Sequence, residues 1–301
     1  ARNRANRAPL SRVRLELVTR SPMSTYIAVV LVIYRRHMPT SATLGAGRWV
    51  PDDLLTIPGV AQVRTAYMKY TEPSIATQLK AFDADGITDV LVIPLLLTVS
   101  DHSLDDIPAI CGQSHDPKLL AQLASENIEV YHPKADIQFS PTLDFSGLVR
   151  AILARRADKL LGKRASDDTR TGLVLVGYGS AEFDDEWTAF FEETRRHAEE
   201  DLGVVASTHA WCGHLVDYSR KPTVDAINKM LEQTDQVVVV PQLVSYDPMF
   251  QERIVGRATK ESADPSRVLY SADAILPDPE VGNWVVRISN ELLNAQEKQA
   301  S

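Results

Sequence analysis

Short, fully apolar runs alternate with amphipathic stretches along the chain. The runs at residues 90–97 (VLVIPLLL) and 237–244 (VVVVPQLV) are almost continuously apolar and do not alternate as a half-exposed strand would. Such runs are typical of parallel strands that helices cover on both faces. Strand–helix alternation with right-handed crossovers then predicts an α/β fold with doubly wound parallel sheets.

The same pattern predicts eight strands and eight helices, divided equally between two halves of the chain. In the first half we expect strands at 27–34, 61–67, 89–96 and 127–131 and helices at 73–85, 104–110, 117–125 and 144–157. In the second half we expect strands at 172–178, 204–209, 236–243 and 267–271 and helices at 184–201, 222–234, 249–262 and 280–296. Ligands of such folds bind beyond the carboxyl ends of the strands, which directs attention to the loops there.

The two halves also resemble each other in sequence. Residues 27–36, 70–79, 89–107 and 128–135 pair in the same order with 171–180, 218–227, 236–254 and 266–272. Four matches in one order indicate an internal duplication. We therefore predict tandem domains at 24–161 and 171–301, joined by the polar stretch 162–170.

Residues 1–23 hold six arginines and one acidic residue. We interpret this segment as a basic, disordered leader, with a transit peptide or a basic tail as the alternatives.

Charge and cysteine content exclude several classes of partner. The net charge of −8 argues against nucleic-acid binding, which needs a basic surface. The longest apolar run, 27–34, is too short to span a membrane, so no membrane contact is expected. Two isolated cysteines, Cys111 and Cys212, indicate a reducing compartment and hence a cytoplasmic protein. No phosphate-binding glycine loop with its lysine is present, so no nucleotide cofactor is expected.

His102 is the strongest candidate for chemistry. It follows the most apolar predicted strand, and an imidazole there can bind a metal or accept a proton near neutral pH. The alternative is a loop histidine that bonds to a nearby carboxylate. Its partner in the repeat is Met249, which cannot titrate. The chemistry is thus expected in one copy, with Met249 as an apolar wall.

Residues 61–108 carry a recognisable series of motifs. They are Ala66-Tyr67-Met68, Glu72-Pro73-Ser74, the apolar strand at 90–97, and His102 ahead of Asp106-Ile107-Pro108. This series resembles the CbiX-type sirohydrochlorin chelatases, which are class II tetrapyrrole metal chelatases. The resemblance implies ATP-independent insertion of a divalent metal (Co²⁺, Fe²⁺ or Ni²⁺) into a sirohydrochlorin-like tetrapyrrole. The metal is then a substrate rather than a resident cofactor.

A second motif of that family, Gly-His-Gly-Ser with a metal-binding histidine, is altered in both halves. The second half has Gly177-Tyr178-Gly179-Ser180, and the first half has Tyr34 at the equivalent position. Tyrosine is a poor ligand for a divalent ion at neutral pH, because its phenol, with a pKa of about 10, stays protonated there. Either His37 takes over the role of the missing histidine, or this chain handles metal differently from the family.

Several other polar residues allow two interpretations. Glu72 either assists proton removal or is a carboxylate favoured at a helix start, with Pro73 in the first turn. Arg35, Arg36 and Arg48 either bind substrate carboxylates or are solvated surface charges.

Three residues near the end of a predicted second-half strand are candidates for a further metal site. His209, Cys212 and His214 carry suitable donor groups, but their spacing matches no structural zinc pattern. This site is a weaker prediction than the one at His102.

Taken together, the residues predict metal insertion in a cleft between the two halves. His102, with His37 and Glu72, would receive the metal and the pyrrole protons. The macrocycle would contact Tyr34, Arg35, Arg36, Tyr178, Gly179, Ser180 and Met249. Two alternatives stay open: a non-catalytic metal- or tetrapyrrole-binding protein on a degenerate chelatase scaffold, and an unrelated doubly wound protein. The sequence leaves the metal, the macrocycle and the oligomeric state undetermined.

Overall fold

The chain folds around two parallel four-stranded sheets, one from each half. The computed structural model describes residues 27–33, 52–69, 71–143, 147–162 and 168–300. The strand order is β2-β1-β3-β4 in the first sheet and β6-β5-β7-β8 in the second. Every pairing is parallel, and the two sheets have the same order. The predicted α/β class with two doubly wound parallel sheets is confirmed.

The elements of the first half run in strand–helix alternation. They are β1 (Ile27–Ile33), a 3-10 helix (Asp52–Thr56), β2 (Val60–Tyr67), α1 (Ile75–Ala84), β3 (Asp89–Pro94), a π-helical segment (His102–Asp106) that continues into α2 (Ile107–Ile110), α3 (Pro117–Ser125), β4 (Asp136–Phe139) and α4 (Leu148–Leu161).

The second half repeats this order. Its elements are β5 (Thr171–Gly177), α5 (Asp184–Leu202), β6 (Ala206–Trp211), a 3-10 helix (His214–Val216), α6 (Lys221–Leu231), β7 (Gln236–Pro241), a π-helical segment (Met249–Val255) that continues into α7 (Gly256–Glu261), a 3-10 helix (Pro265–Arg267), β8 (Val268–Tyr270) and α8 (Pro279–Ala300). The π segments begin at His102 and Met249, the two residues that the repeat pairs.

Successive side chains of each central strand enter different cores, as the alternating pleat requires. In β3, Leu91 and Ile93 face a central core, whereas Val90 and Val92 face an outer core under α1, α2 and α3. The same alternation holds for β7, whose outer core lies under α6 and the second π segment. Both faces of each sheet are therefore covered, which explains the continuous apolar runs.

The central core belongs to both halves at once. It joins the inner faces of the two sheets to buried residues of α4, α5 and α8. α4, although it ends the first half, packs against α5, β7, β8 and α8. Three of its arginines bond to second-half acids: Arg150 to Asp201, Arg155 to Asp278 at 2.6 Å, and Arg156 to Asp273. α8 in turn contacts the 3-10 helix of the first half. The two units therefore share a core.

One predicted strand is wrong. Residues 127–131 form no strand, and the position beside β3 is taken by β4, eight to nine residues later. The segment at 128–131 instead packs Ile128, Val130 and Tyr131 against the outer core. The Tyr131 hydroxyl donates to Asp83 Oδ2 at 2.8 Å. Alternating polarity there reflects a loop that covers helices, not a pleated strand.

Helix α1 begins later than predicted. Ser74 is its N-cap, and the Ser74 hydroxyl accepts from Thr77 N at 3.2 Å. Pro73 therefore precedes the helix rather than opening it. The predicted helix at 144–157 is found at 148–161, following Gly147.

The predicted leader at 1–23 lies outside the described residues, so the domain limits at 24–161 and 171–301 stay predictions. None of the described helices combines the length and the apolar character that crossing a membrane requires.

The shared core leads to a prediction about cooperativity. Ile152 of α4 is fully buried in that core, so Ile152→Ala should cost about 2–5 kcal/mol of unfolding free energy. Urea unfolding measures the cost, and hydrogen exchange of peptides from β3 and β7 shows where it acts. The rate of hydrogen exchange should rise in β3 and β7 together. Ala151, the exposed residue before Ile152, supplies a control, because Ala151→Gln should change the unfolding free energy and the exchange rates little. Faster exchange in β7 alone would contradict a common core.

Candidate functional site

A cavity opens where β3, β5 and β7 end, and both halves contribute to its wall. The described residues that line it are Leu95, Leu96, Leu97, Thr98, Ser100, Asp101 and His102 from the first half, and Tyr178, Gly179, Ser180, Trp187, His214, Gln242, Leu243, Val244, Ser245, Tyr246, Asp247 and Phe250 from the second. The cavity thus lies beyond the carboxyl ends of the strands, where the fold class places ligand sites. Its volume of about 190 Å³ is below the roughly 300–1,000 Å³ of typical ligand pockets.

His102 is held at the start of the π segment that follows β3. A tight turn leads into it, in which the Ser103 hydroxyl donates to Ser100 O at 3.0 Å and accepts from Ser100 N at 2.9 Å. His102 Nδ1 then lies 2.7 Å from Asp106 Oδ2, one turn further along. Widened π turns often occur at functional sites, and this one positions an imidazole on the cavity wall.

Asp106 is buried and belongs to a chain of charges. Lys69, which is also buried, lies 3.3 Å from Asp106 Oδ2 and 2.9 Å from Glu126 Oε2. Burial alone raises the pKa of Asp106, but the hydrogen bond to His102 and the Lys69 charge outweigh it and lower the pKa overall. For Lys69, burial lowers the pKa, and the Glu126 and Asp106 carboxylates raise it overall. Asp106 is therefore ionised at neutral pH.

The ionised state of Asp106 fixes the tautomer of His102. A carboxylate only accepts, so Nδ1 carries the proton of the 2.7 Å hydrogen bond. In the neutral ring, Nε2 then has the lone pair that a metal or a proton requires. A carboxylate behind the far ring nitrogen is a common arrangement for histidines that bind metals.

Beside His102, the carboxyl groups of Asp101 from the first half and Glu182 from the second half lie close together. Burial raises the pKa of Asp101, and the charge and hydrogen bond of Glu182 and the charge of Asp105 raise it further. One oxygen of the Asp101 carboxylate, Oδ1, is buried and has no hydrogen-bond partner among the described residues. This end of the cavity is thus electronegative.

The opposite wall holds a hydrogen-bonded aromatic group. The Tyr178 hydroxyl lies 3.0 Å from His214 Nδ1 and 3.3 Å from the Tyr218 hydroxyl. Gly179 has a φ of +80°, and a Cβ there would meet the Trp211 ring at 3.0 Å, which explains a glycine after Tyr178. The structure brings Tyr178, Gly179 and Ser180 to the cavity with His102, as the sequence predicts.

Glu72 is exposed, and it is not among the residues that line the cavity. Its Oε2 accepts from Ser74 N at 2.7 Å, so this carboxylate supports the start of α1. The loop folds back so that Tyr67 N donates to Pro73 O at 2.9 Å, which keeps Glu72 near the carboxyl end of β2. β2 and β3 flank β1, so Glu72 and His102 follow the two neighbours of β1.

His209, Cys212 and His214 are not brought together. His209 packs between Phe191 and Trp211, at ring-centroid distances of 5.7 and 4.8 Å. Burial and the Arg195 charge lower its pKa. Cys212 lies in the outer core, and burial raises its pKa to about 12, so it is a thiol and not a thiolate. Only His214 lines the cavity.

Among the residues with described positions, no three histidine, cysteine or acidic side chains are grouped to hold a metal ion. A metal bound at His102 would therefore need further ligands from the substrate, from water or from the remainder of the chain.

The other predicted substrate contacts divide into two groups. Met249 packs with the second-half outer core, while the next residue, Phe250, lines the cavity. Tyr34, Arg35, Arg36, His37 and Arg48 lie outside the described residues.

Sequence reasoning did not find three of the polar groups described above. Lys69 and Asp106 were not recognised as the partners that fix His102, although Asp106 stands in the motif that carries the resemblance. Gln242 was missed because it ends an apolar strand, and the repeat, which places it opposite Leu95, was the available signal.

Comparisons with known proteins give one family and several similar structures. A family model described as CbiX matches residues 53–160. No curated protein matches the sequence. SirB from Bacillus subtilis with Fe³⁺ is similar in structure, with a TM-score of 0.63 and 19% identity over 92% of this chain and 99% of that chain.

Two further structures have the same fold. SirB from Bacillus subtilis subspecies spizizenii in complex with cobalt gives a TM-score of 0.60 at 19% identity, covering 91% of this chain and 98% of that one. CbiX, the terminal enzyme for siroheme biosynthesis in denitrifying bacteria, gives 0.57 at 13% identity, covering 87% and 98%.

The fold is that of these chelatase structures, and it extends over both halves. The match of residues 53–160 to the CbiX family model confirms the resemblance drawn from the motifs between residues 61 and 108.

The charges around Asp106 predict a pH-dependent stability. Asp106→Asn should cost about 1–3 kcal/mol at pH 7, because the buried Lys69 loses one of its carboxylates. The folded pKa of Asp106 is lowered, so this contribution is complete above the unfolded value of about 3.9 and is lost as pH falls through the folded value. Urea unfolding from pH 7 down to pH 3 should show the deficit narrowing below pH 4.

The exposed Asp158 provides a matched control, since Asp158→Asn should change stability little. A deficit for Asp106→Asn that stayed constant across the whole pH series would contradict the role given to the ionised carboxylate.

Proposed function

We propose that the protein inserts a divalent metal into a sirohydrochlorin-like tetrapyrrole, without ATP, in the cleft between its two halves. The observation that carries this proposal is His102, whose tautomer is fixed by an ionised, buried Asp106 on the wall of a cavity shared by both halves. The chelatase fold supports the reaction class.

Insertion replaces two pyrrole protons by one metal ion, so the site needs a group that receives protons. Nε2 of His102 is suited to this because an imidazole nitrogen with a free lone pair is a general base and Nδ1 is already committed to Asp106. When Nε2 takes a proton, the ring becomes a cation, which Asp106 stabilises at 2.7 Å. The same lone pair can first bind the incoming metal, with His37 as the further ligand and Glu72 as the assisting carboxylate that are proposed from the sequence.

The acidic end of the cavity favours arrival of the metal. Asp101 and Glu182 repel each other when both are ionised, and a divalent cation relieves that repulsion. Tyr178 and His214 on the opposite wall would contact the macrocycle. A tetrapyrrole exceeds the volume of about 190 Å³, so it would extend beyond the described walls. Arg35 and Arg36 are proposed to hold its carboxylates there.

The alternative is a protein that binds metal or tetrapyrrole without turnover. The observation that favours it is Tyr178, which occupies the histidine position of the family motif and bonds to His214 and Tyr218 rather than presenting an imidazole. Turnover in the presence of metal separates the two functions. The metal used and the oligomeric state are not assigned.

The central prediction concerns His102. His102→Ala should abolish metal insertion into sirohydrochlorin, at least 100-fold below wild type, because the proton acceptor is lost (an effect of about 10²–10⁴ is usual). Absorbance is followed after mixing protein and macrocycle with Co²⁺, Fe²⁺ or Ni²⁺ in turn, against the uncatalysed rate. The ion that gives a rapid shift identifies the metal.

A matched control is His115→Ala, which removes an exposed histidine far from the cavity wall and should keep wild-type rates. Unchanged insertion by His102→Ala would refute the assignment. A stable bound spectrum without turnover in wild type would instead establish the binding protein.

A further inference from the structure

Gln242 has an unusual environment for a polar side chain. It is 1% exposed, and neither its amide nitrogen Nε2 nor its amide oxygen Oε1 has a hydrogen-bond partner among the described residues. It directly follows β7 and lines the cavity shared by the two halves. Its backbone is fixed, because Gln242 N donates to Val176 O at 2.7 Å.

An amide buried in this way is destabilising. Buried polar groups nearly always have partners, and an unpaired one retains its desolvation cost. The repeat offers an apolar solution at the same place, since Leu95 is the counterpart of Gln242 and is fully buried. The second half therefore has an amide where the fold accepts leucine, which indicates that the amide has a partner beyond the described residues.

The composition of the cavity narrows the identity of that partner. None of the described lining residues is lysine or arginine, while Asp101 and Asp247 supply carboxylates. A carboxylate of a ligand would thus meet neutral donors at this wall, and Nε2 of Gln242 is one that nothing else in the described structure uses.

We propose that Gln242 is a substrate-contacting specificity residue, whose Nε2 donates a hydrogen bond to a peripheral carboxylate of the tetrapyrrole. The proposal rests on the proposed function, because it takes the macrocycle as the ligand. Oε1 then accepts from a water molecule that enters with the carboxylate. Leu95 leaves the corresponding place in the first half apolar, so the two walls of the cavity differ in what they recognise.

The test compares Gln242→Leu and Gln242→Glu with wild type, using metal-free sirohydrochlorin and titrating binding by absorbance and tryptophan fluorescence at pH 8. Gln242→Leu should weaken binding about 3- to 10-fold, as expected for one neutral hydrogen bond, while its melting temperature stays equal or rises. Gln242→Glu should bind more weakly than Gln242→Leu, because its carboxylate repels that of the ligand.

Thr223 supplies the matched control. It is fully buried, its hydroxyl also has no partner, and it does not line the cavity. Thr223→Val should leave binding unchanged.

Each other outcome would overturn the proposal in a recognisable way. Unchanged binding with a lower melting temperature for Gln242→Leu would show that the amide holds a structural water. Tighter binding by Gln242→Glu would show that the partner is a cation or an N–H donor. If wild type inserts metal but Gln242→Leu binds like wild type, this inference alone fails. If wild type neither binds nor metallates sirohydrochlorin, the proposed function fails as well.

Discussion

The apolar core between the two sheets determines where everything else lies. Leu91 and Ile93 of one sheet and Val238 and Val240 of the other enter it, and α4, α5 and α8 complete it. Because α4 lies on the second half and α8 reaches the first, the halves cannot move apart without exposing this core. The ends of β3, β5 and β7 are therefore held at a fixed separation. The cavity between them is a consequence of hydrophobic burial, and its Trp187 indole links the halves by donating to Val99 O at 2.9 Å.

The first half supplies a row of linked charged groups on this frame. Lys69 contacts Asp106, and Asp106 in turn contacts His102, so the lysine keeps the carboxylate ionised and the carboxylate fixes the tautomer of the imidazole. Burying charges is costly, and the arrangement persists because the lysine has two carboxylates and the aspartate has two cationic or N–H partners. The result is an imidazole with a defined tautomer at the mouth of an acidic cleft, which suits the exchange of protons for a metal ion.

The second half contributes most of the uncharged polar groups of the cavity, beside the carboxylates of Glu182 and Asp247. Tyr178, His214 and Tyr218 form a hydrogen-bonded group, and Gln242 adds an amide without a partner among the described residues. The residue equivalent to His102 is Met249, which packs against the outer core of the second half. The two copies of the unit thus differ at the cavity: one presents the imidazole of His102, and the other presents hydroxyl and amide groups.

The sequence by itself determined the fold class and singled out His102 as the strongest candidate, because these depend on local apolar periodicity and on motifs that are continuous in the chain. It misplaced β4, since Ile128 and Val130 alternate like a strand while packing on helices. It also could not reveal the link from Lys69 to Asp106, which joins residues from different loops, or the burial of Gln242. Only the tertiary structure decided that His209, Cys212 and His214 point to three different places and that both halves share one cavity. Which side chains become neighbours across a core depends on how the sheets and helices pack, and that packing involves residues far apart in the sequence.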